Sequence, residues 1–234
     1  MDFYVSDRVF EKMPDVIFGL ISVKGADNSK GYPFIDRMLD EAIAGCEARF
    51  EGKVVKQEKE LALYRKAFTD MGINPNKFMS SIEALITRIA KKKGMGHINP
   101  IVDLGNAISL KYCFPVGAHD LRTMDGGFCV RTADENDTFL PFGAREREKV
   151  DVDEVVYATA DRVRTRRWIW RQSEEGKILE DTTDVLFIID GFEESREETL
   201  AARDELEEIL REKMGCRTKK GLIDSSVRVF DMDI

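Results

Sequence analysis

Apolar and polar positions alternate along this chain with two periods, and the period changes near its middle. VIFGLISVKG (16–25) is a continuous β-branched apolar run closed by glycine, which predicts an inner strand. From Phe34 the spacing lengthens: Phe34, Met38, Ile43, Cys46 and Phe50 approximate one helical stripe, stopped by Gly52. A second helix is predicted over 57–71, with Leu61, Tyr64, Phe68 and Met71 on one side. A third is predicted over 76–93, carrying Phe78, Ile82, Leu85, Ile86 and Ile89. It finishes in Lys91-Lys92-Lys93-Gly94, where a lysine triplet complements the helix C-terminal dipole and is the plain alternative to RNA binding. Beyond residue 128 the runs are short and β-rich: 128–133, 138–142, 154–159, 166–171 and 184–190. A last helix opens with Ser195 and Glu198 at capping-box spacing and ends at Gly215, and 225–230 reads as a returning strand.

Helices come mostly first and strands later, so the class is α+β, a mixed β-sheet core with helices concentrated in the N-terminal half. At 234 residues the length admits one large domain or two small ones, and with no linker or repeat residues 1–234 read as a single domain. The composition, 43% hydrophobic and 34% charged, is that of a globular chain. No apolar run approaches the roughly 20 residues needed to cross a bilayer, and MDFYVSDRVF has neither a signal nor a transit pattern. Four scattered cysteines (Cys46, Cys113, Cys129, Cys216) without C-x-x-C spacing predict reduced thiols, a cytoplasmic setting and no metal site. A net charge of −8 opposes nonspecific affinity for nucleic acid, though a local basic patch can still bind it. No G-x-G-x-x-G, Walker loop, H-E-x-x-H or G-x-S-x-G occurs, so no cofactor is expected.

The stretch HINPIVDLGNAISLKYCFPVGAHDL, from position 97, concentrates the candidate chemistry. Asn99-Pro100 makes a helix start, with Asn as N-cap and Pro at the first helical position. Asp103, Asn106 and Leu110 then share a face, and the helix must end near Cys113 because Pro115 disfavours helical geometry at Phe114. Gly117 lets backbone come close to an occupant and leaves amide N–H groups available. In the bland reading Asp103 and Asn106 hydrogen-bond the following turn and His119 is a structural histidine; in the functional one they wall a pocket together.

NPIVDLGNAISLKYCFPVGAHDL closely resembles the signature of the editing domain of the phenylalanyl-tRNA synthetase β subunit, a V-D-x-x-N helix followed by a proline turn and an Asp-Leu exit. The similarity continues through Val130-Arg131, Val155–Asp161, Trp168–Ser173 and Thr182-Thr183, with no synthetase catalytic core beside it. The resemblance implies a freestanding relative of that domain, which in the synthetase removes tyrosine wrongly esterified to tRNA. Two positions depart from the pattern. Gly117 stands where the synthetase has histidine, this chain's own histidine coming two residues later, and apolar residues near Ile188 stand where it has glutamate. The implied activity is an aminoacyl-tRNA deacylase, a hydrolase of the ester on mischarged tRNA. In it Asp103 and Asn106 organise the pocket, Gly117 admits the ester and His119 serves as base or water-positioner. The alternative is a noncatalytic module that binds a free amino acid or similar metabolite.

RVRTRRWIWRQS (162–173), taken as one strand, projects Arg162, Arg164 and Arg166 to one face with Trp168 and Trp170 continuing it. One account is a phosphate rail with tryptophan stacking on the terminal adenine; the other is a core edge whose arginines pair with carboxylates. Arg171 and Gln172 are candidates to bind an amino-acid carbonyl or carboxylate. The partner is thus the aminoacylated 3′ end of tRNA or a free amino acid. The −8 charge and missing membrane segment give no further partner, and oligomeric state is not legible.

Overall fold

The computed structural model describes residues 1–234. The N-terminal half runs β1 (Asp2–Val5), α1 (Asp7–Lys12), β2 (Val16–Lys24), α2 (Pro33–Phe50), α3 (Lys59–Asp70), α4 (Ser81–Ala90) and α5 (Pro100–Tyr112). Strands follow: β3 (Val116–Asp120), β4 (Phe128–Thr132), β5 (Thr138–Phe139), β6 (Glu148–Lys149), β7 (Val155–Thr159), β8 (Arg162–Arg166), β9 (Arg171–Gln172) and β10 (Asp184–Phe192). The chain closes with α6 (Arg196–Glu208), a π-helical turn at Ile209–Lys213, β11 (Arg217–Ile223) and β12 (Val229–Asp231). The class is α+β, and no helix is long and apolar enough to cross a membrane.

The strands form two sheets, one ordered β12-β1-β4-β7-β8-β5-β6 with β9 on β8, the other β11-β2-β10-β3. They pack face to face. Phe18 of β2 meets Tyr157 of β7 edge-on at 6.5 Å, and Gly221 of β11 leaves room for the Phe230 ring, which lies 2.4 Å from where a Cβ would sit. The opposite face of the second sheet carries the helices: Gly105 of α5 lies over Phe187, and Gly19 and Gly191 face Thr199 of α6. β10 and β2 are buried on both faces, which is why they read as unbroken apolar runs rather than alternating ones. One buried cluster of 53 residues is continuous through both layers, so α5 is held by the same core as the sheets. All four cysteines are free and buried in this core or on the outer face of β4.

Three differences from expectation bear on the site. The third helix starts at Ser81 rather than 76, because the Ser80 side chain accepts from the Glu83 N–H and fixes the N-terminus there. The residues after Pro115 are an edge strand, β3, not a turn. Most consequentially, the strand predicted through 162–173 stops at Arg166, since Arg167 (φ 46°) and Trp168 (φ 58°) both take left-handed backbone.

Candidate functional site

The Asn99 side chain caps α5 by accepting from Val102 N–H at 3.0 Å, and Pro100 fills its first position. At the other end Cys113 turns left-handed, the Ser109 hydroxyl donates to the Phe114 carbonyl, and Pro115 starts the approach to β3. α5 and β3 therefore leave each other at a fixed angle. Between them and β9 opens a cavity of about 370 Å³, within the range of small-molecule sites. Its floor is Gly105 and Val102 of α5 with Val116 and Ala118 of β3. Its polar groups are Asn106, Gln172 and Lys177, and Ile98, Phe142 and Ile178 close its sides. Ile98 and Phe142 are 65% and 47% exposed, so the mouth itself is apolar.

The polar groups differ in what they have left to offer. Asn106 is half-buried and its amide has no hydrogen-bond partner in the protein. Gln172 donates through Nε2 to the Ala118 carbonyl at 2.9 Å, keeping its own carbonyl free. Lys177 pairs with Glu174, which also accepts from Gly143 N–H and so holds the turn carrying Phe142. Backbone supplies the last donor. In the antiparallel ladder with β10, Pro115 bonds Asp190, so alternation assigns Gly117 and His119 to the ladder. Val116 and Ala118 then point their N–H groups to the open edge, on the cavity side.

Of the residues read from the sequence, Asn106 and Gln172 line this cavity, and Asp103 supports it from behind. Asp103 is 2% exposed; Oδ1 accepts from the Ile98 N–H at 2.9 Å and Oδ2 lies 3.1 Å from His97 Nδ1, which fixes the rim residue Ile98. His119 and Gly117 are not in the lining. They occupy the opposite face of β3, inside the sandwich, where the His119 ring packs against Phe128 and Tyr157 at 4.8 and 5.9 Å. Burial, reinforced by the nearby Arg164 charge, pushes the His119 imidazole down to about 3, which makes it a weak proton acceptor, and its place inside the sandwich keeps it out of the cavity lining.

The arginine face is also corrected. β8 lies between β7 and β5 in the interior of its sheet, and three of its five side chains are buried. Arg162 is exposed, but Arg164 is buried, donating Nη2 to the Thr123 carbonyl, and Arg166 is buried against Glu154 and Glu148. The left-handed pair at 167–168 swings Trp168 into the core, where its Nε1–H donates to Asp190 Oδ1 at 2.6 Å. Trp170 is half-buried, packed edge-to-face with Phe78 and with the Arg167 guanidinium over its ring at 4.8 Å. Arg171 stays exposed beside Gln172, without a carboxylate partner.

Ile98, Phe142 and Lys177 were missed. Phe142 and Ile98 carry a weak signal, a large apolar residue beside a turn glycine or between polar neighbours; Lys177 carries none. A larger groove of 630 Å³ between α2, α5 and α6 is crossed by the Lys111–Glu205 ion pair and holds none of the site residues.

A family model for the B3/4 domain matches residues 63–222. The phenylalanine–tRNA ligase beta subunit of Mycobacterium leprae is 27% identical over 154 residues, covering 65% of this chain and 18% of that protein. Its counterpart in Aquifex aeolicus is 32% identical over 93 residues, covering 40% and 12%. In Vibrio vulnificus the figures are 30% over 96 residues, 41% and 12%. The chain thus matches less than a fifth of the length of these relatives. Among solved structures, an N-terminal fragment of the phenylalanyl-tRNA synthetase beta subunit from Pyrococcus horikoshii aligns over 95% of this chain and 54% of that one, at 10% identity and a TM-score of 0.46. The family match runs from α3 to β11 and contains every residue that lines the cavity: this chain belongs to the B3/4 domain family.

Proposed function

We propose that the cavity receives the aminoacyl end of a tRNA, supplied in trans, and hydrolyses its ester, with residues 1–234 acting as one editing unit. The observation carrying this reading is the convergence of two unpaired donors, the Asn106 amide and the Ala118 N–H, on a cavity whose other polar side chains, Gln172 and Lys177, are already engaged. Carbonyl oxygen gains negative charge when water attacks an ester, and fixed N–H donors that meet it stabilise that transition state. The water oxygen bonds to the acyl carbon, the acyl–ribose C–O bond breaks, and the water's proton passes to the leaving ribose oxygen through the neighbouring ribose hydroxyl. No side-chain base is required. An ester already activated towards hydrolysis, held in position, can react with an oriented water. The amino-acid side chain would lie between Ile98, Phe142 and Ile178, and Arg171 would meet the phosphate beyond the terminal ribose.

A second reading is favoured by one observation. Lys177 is the sole ionisable residue in the lining and is tied to Glu174, so the cavity offers no titratable catalyst. That suits a module binding a free amino acid.

One experiment separates them: the pure protein is incubated with a panel of mischarged tRNAs and loss of the ester is followed. Asn106→Ala should slow hydrolysis by about 10²-fold, the effect of removing one oxyanion donor, with an unchanged thermal melt. No ester loss from any tRNA, with free amino-acid binding that the same substitution weakens, would establish the binding module instead.

A further inference from the structure

Behind the cavity, at the junction of α2 and α5, one imidazole is surrounded by carboxylates. His97 Nδ1 lies 3.1 Å from Asp103 Oδ2 and 3.7 Å from Asp36 Oδ1, and Nε2 lies 3.6 Å from Asp40 Oδ1. Ligand atoms of Asp36, His97 and Asp103 all fall within 4.8 Å of one another. Asp36 and Asp40 are one helical turn apart on α2 and so present together. No lysine or arginine pairs with any of the three aspartates.

We propose that Asp36, His97 and Asp103 bind a divalent transition-metal ion of the zinc class, with Asp40 orienting the imidazole. Two independent features carry this. The first is geometric. Zinc lies about 2.0–2.2 Å from imidazole nitrogen and carboxylate oxygen in tetrahedral array, which sets its donors roughly 3.3 Å apart. The spacings at Nδ1, 3.1 and 3.7 Å, bracket that value. The second is charge: Asp103 is 2% exposed, and three carboxylates share one imidazole with no lysine or arginine to balance them. A neutral imidazole has one N–H for two edges that both face carboxylates. With that N–H on Nδ1, Nε2 opposes Asp40; with it on Nε2, the Nδ1 lone pair opposes the oxygens of Asp36 and Asp103, where a cation removes the repulsion. Histidine bound to metal through one nitrogen commonly donates the other N–H to a carboxylate, the place Asp40 holds. Imidazole with two carboxylates suits zinc or its neighbours rather than calcium or magnesium, which take oxygen donors.

The ion would act on the cavity through one residue. Asp103 also accepts from Ile98 N–H, so fixing His97 and Asp103 to α2 fixes the apolar lip that Ile98 contributes. The ion would be structural, remote from the reacting ester and independent of whether the cavity hydrolyses or only binds.

The test uses the full chain, stripped with a chelator and titrated with Zn²⁺ by calorimetry. One ion per chain is expected, with a higher thermal midpoint. His97→Ala should weaken binding by on the order of 10²-fold or more and Asp40→Asn by roughly 10-fold. Asp36→Asn, also at an exposed position, should weaken it without disturbing the fold. Co²⁺ in place of Zn²⁺ should show a visible spectrum lacking thiolate charge transfer, because all four cysteines lie buried elsewhere. No binding by the wild type up to about 1 mM Zn²⁺, equal binding by His97→Ala, or a thiolate band with Co²⁺ would each overturn the site.

Discussion

Replacing Arg166 by glutamine should cost about 3–5 kcal/mol of stability, because the partner left behind is a buried carboxylate. Arg166 Nε and Nη2 hold the two oxygens of Glu154 at 3.0 and 2.8 Å, and the two side chains are 7% and 4% exposed. Glu154 also accepts from the Arg167 N–H at 2.8 Å, so it fixes the first residue of the left-handed pair. Glutamine cannot span both oxygens and carries no charge, which leaves Glu154 in the interior with only the more distant Arg167 guanidinium, at 3.7 Å. For a chain of this size each kcal/mol moves the thermal midpoint by roughly 2–4 °C, so a drop of about 10 °C is expected. Arg162→Gln, on the same strand but exposed, should stay within about 0.5 kcal/mol. Equal melts for the two variants would mean that burial at Arg166 carries no energetic weight. Replacing Arg166 and Glu154 together by apolar residues should recover most of the loss, since no charge is then stranded.

Asp190→Asn should change how stability depends on pH. The Asp190 carboxyl lies between the sheets, and burial raises it from an ordinary 3.8 to about 7, against the opposing pull of hydrogen bonds from Tyr157 and Trp168. A folded-state value above the unfolded one means that the native protein holds this proton more tightly. The stabilisation is therefore complete below about pH 4 and is lost as pH rises through about 7. Its full swing is on the order of 4 kcal/mol. Asparagine presents an oxygen to both donors and does not titrate, so the variant should gain on the wild type steadily between pH 4 and 8. Urea unfolding of both proteins across that range measures the gap; a constant gap would show that Asp190 is already ionised in the fold. His119 contributes a slope of the opposite sign, because its folded value of about 3 lies below the unfolded 6.5 and stability rises with pH between them; both proteins share it, so it cancels from the gap.

What could be read from residues alone follows a physical line. The ends of α5 were legible because Asn99, Pro100 and Pro115 act through local geometry, whatever packs around them. β2 and β10 were legible because burial on both faces demands unbroken apolar sequence. β11 was not, since RTKKGLI covers only part of one face and its register comes from β2. At the site the errors are errors of parity. Gly117 and His119 are one residue away from Val116 and Ala118, and that single step moves a side chain from the cavity to the interior of the sandwich. The break at Arg167 and Trp168 had no local signal, because neither residue favours left-handed backbone. It is imposed by tertiary bonds, Glu154 to the Arg167 N–H and the Val155 carbonyl to the Trp168 N–H at 2.6 Å. Of a row of arginines that reads as an exposed rail in one dimension, only Arg162 stays exposed; Arg164 and Arg166 make buried carbonyl and ion-pair contacts.

The open edge of β3 also has a kinetic meaning. Its amides divide by parity into two populations with respect to deuterium exchange. Gly117 and His119, bonded to β10, can exchange only when the sheet itself opens, while Val116 and Ala118 point outward without a protein acceptor. Fast and slow sites therefore alternate residue by residue along the cavity wall. An occupant whose carbonyl oxygen accepts from Ala118 would slow that one amide and leave its neighbours' rates unchanged, so the wall carries a built-in isotopic record of where a ligand's oxygen sits.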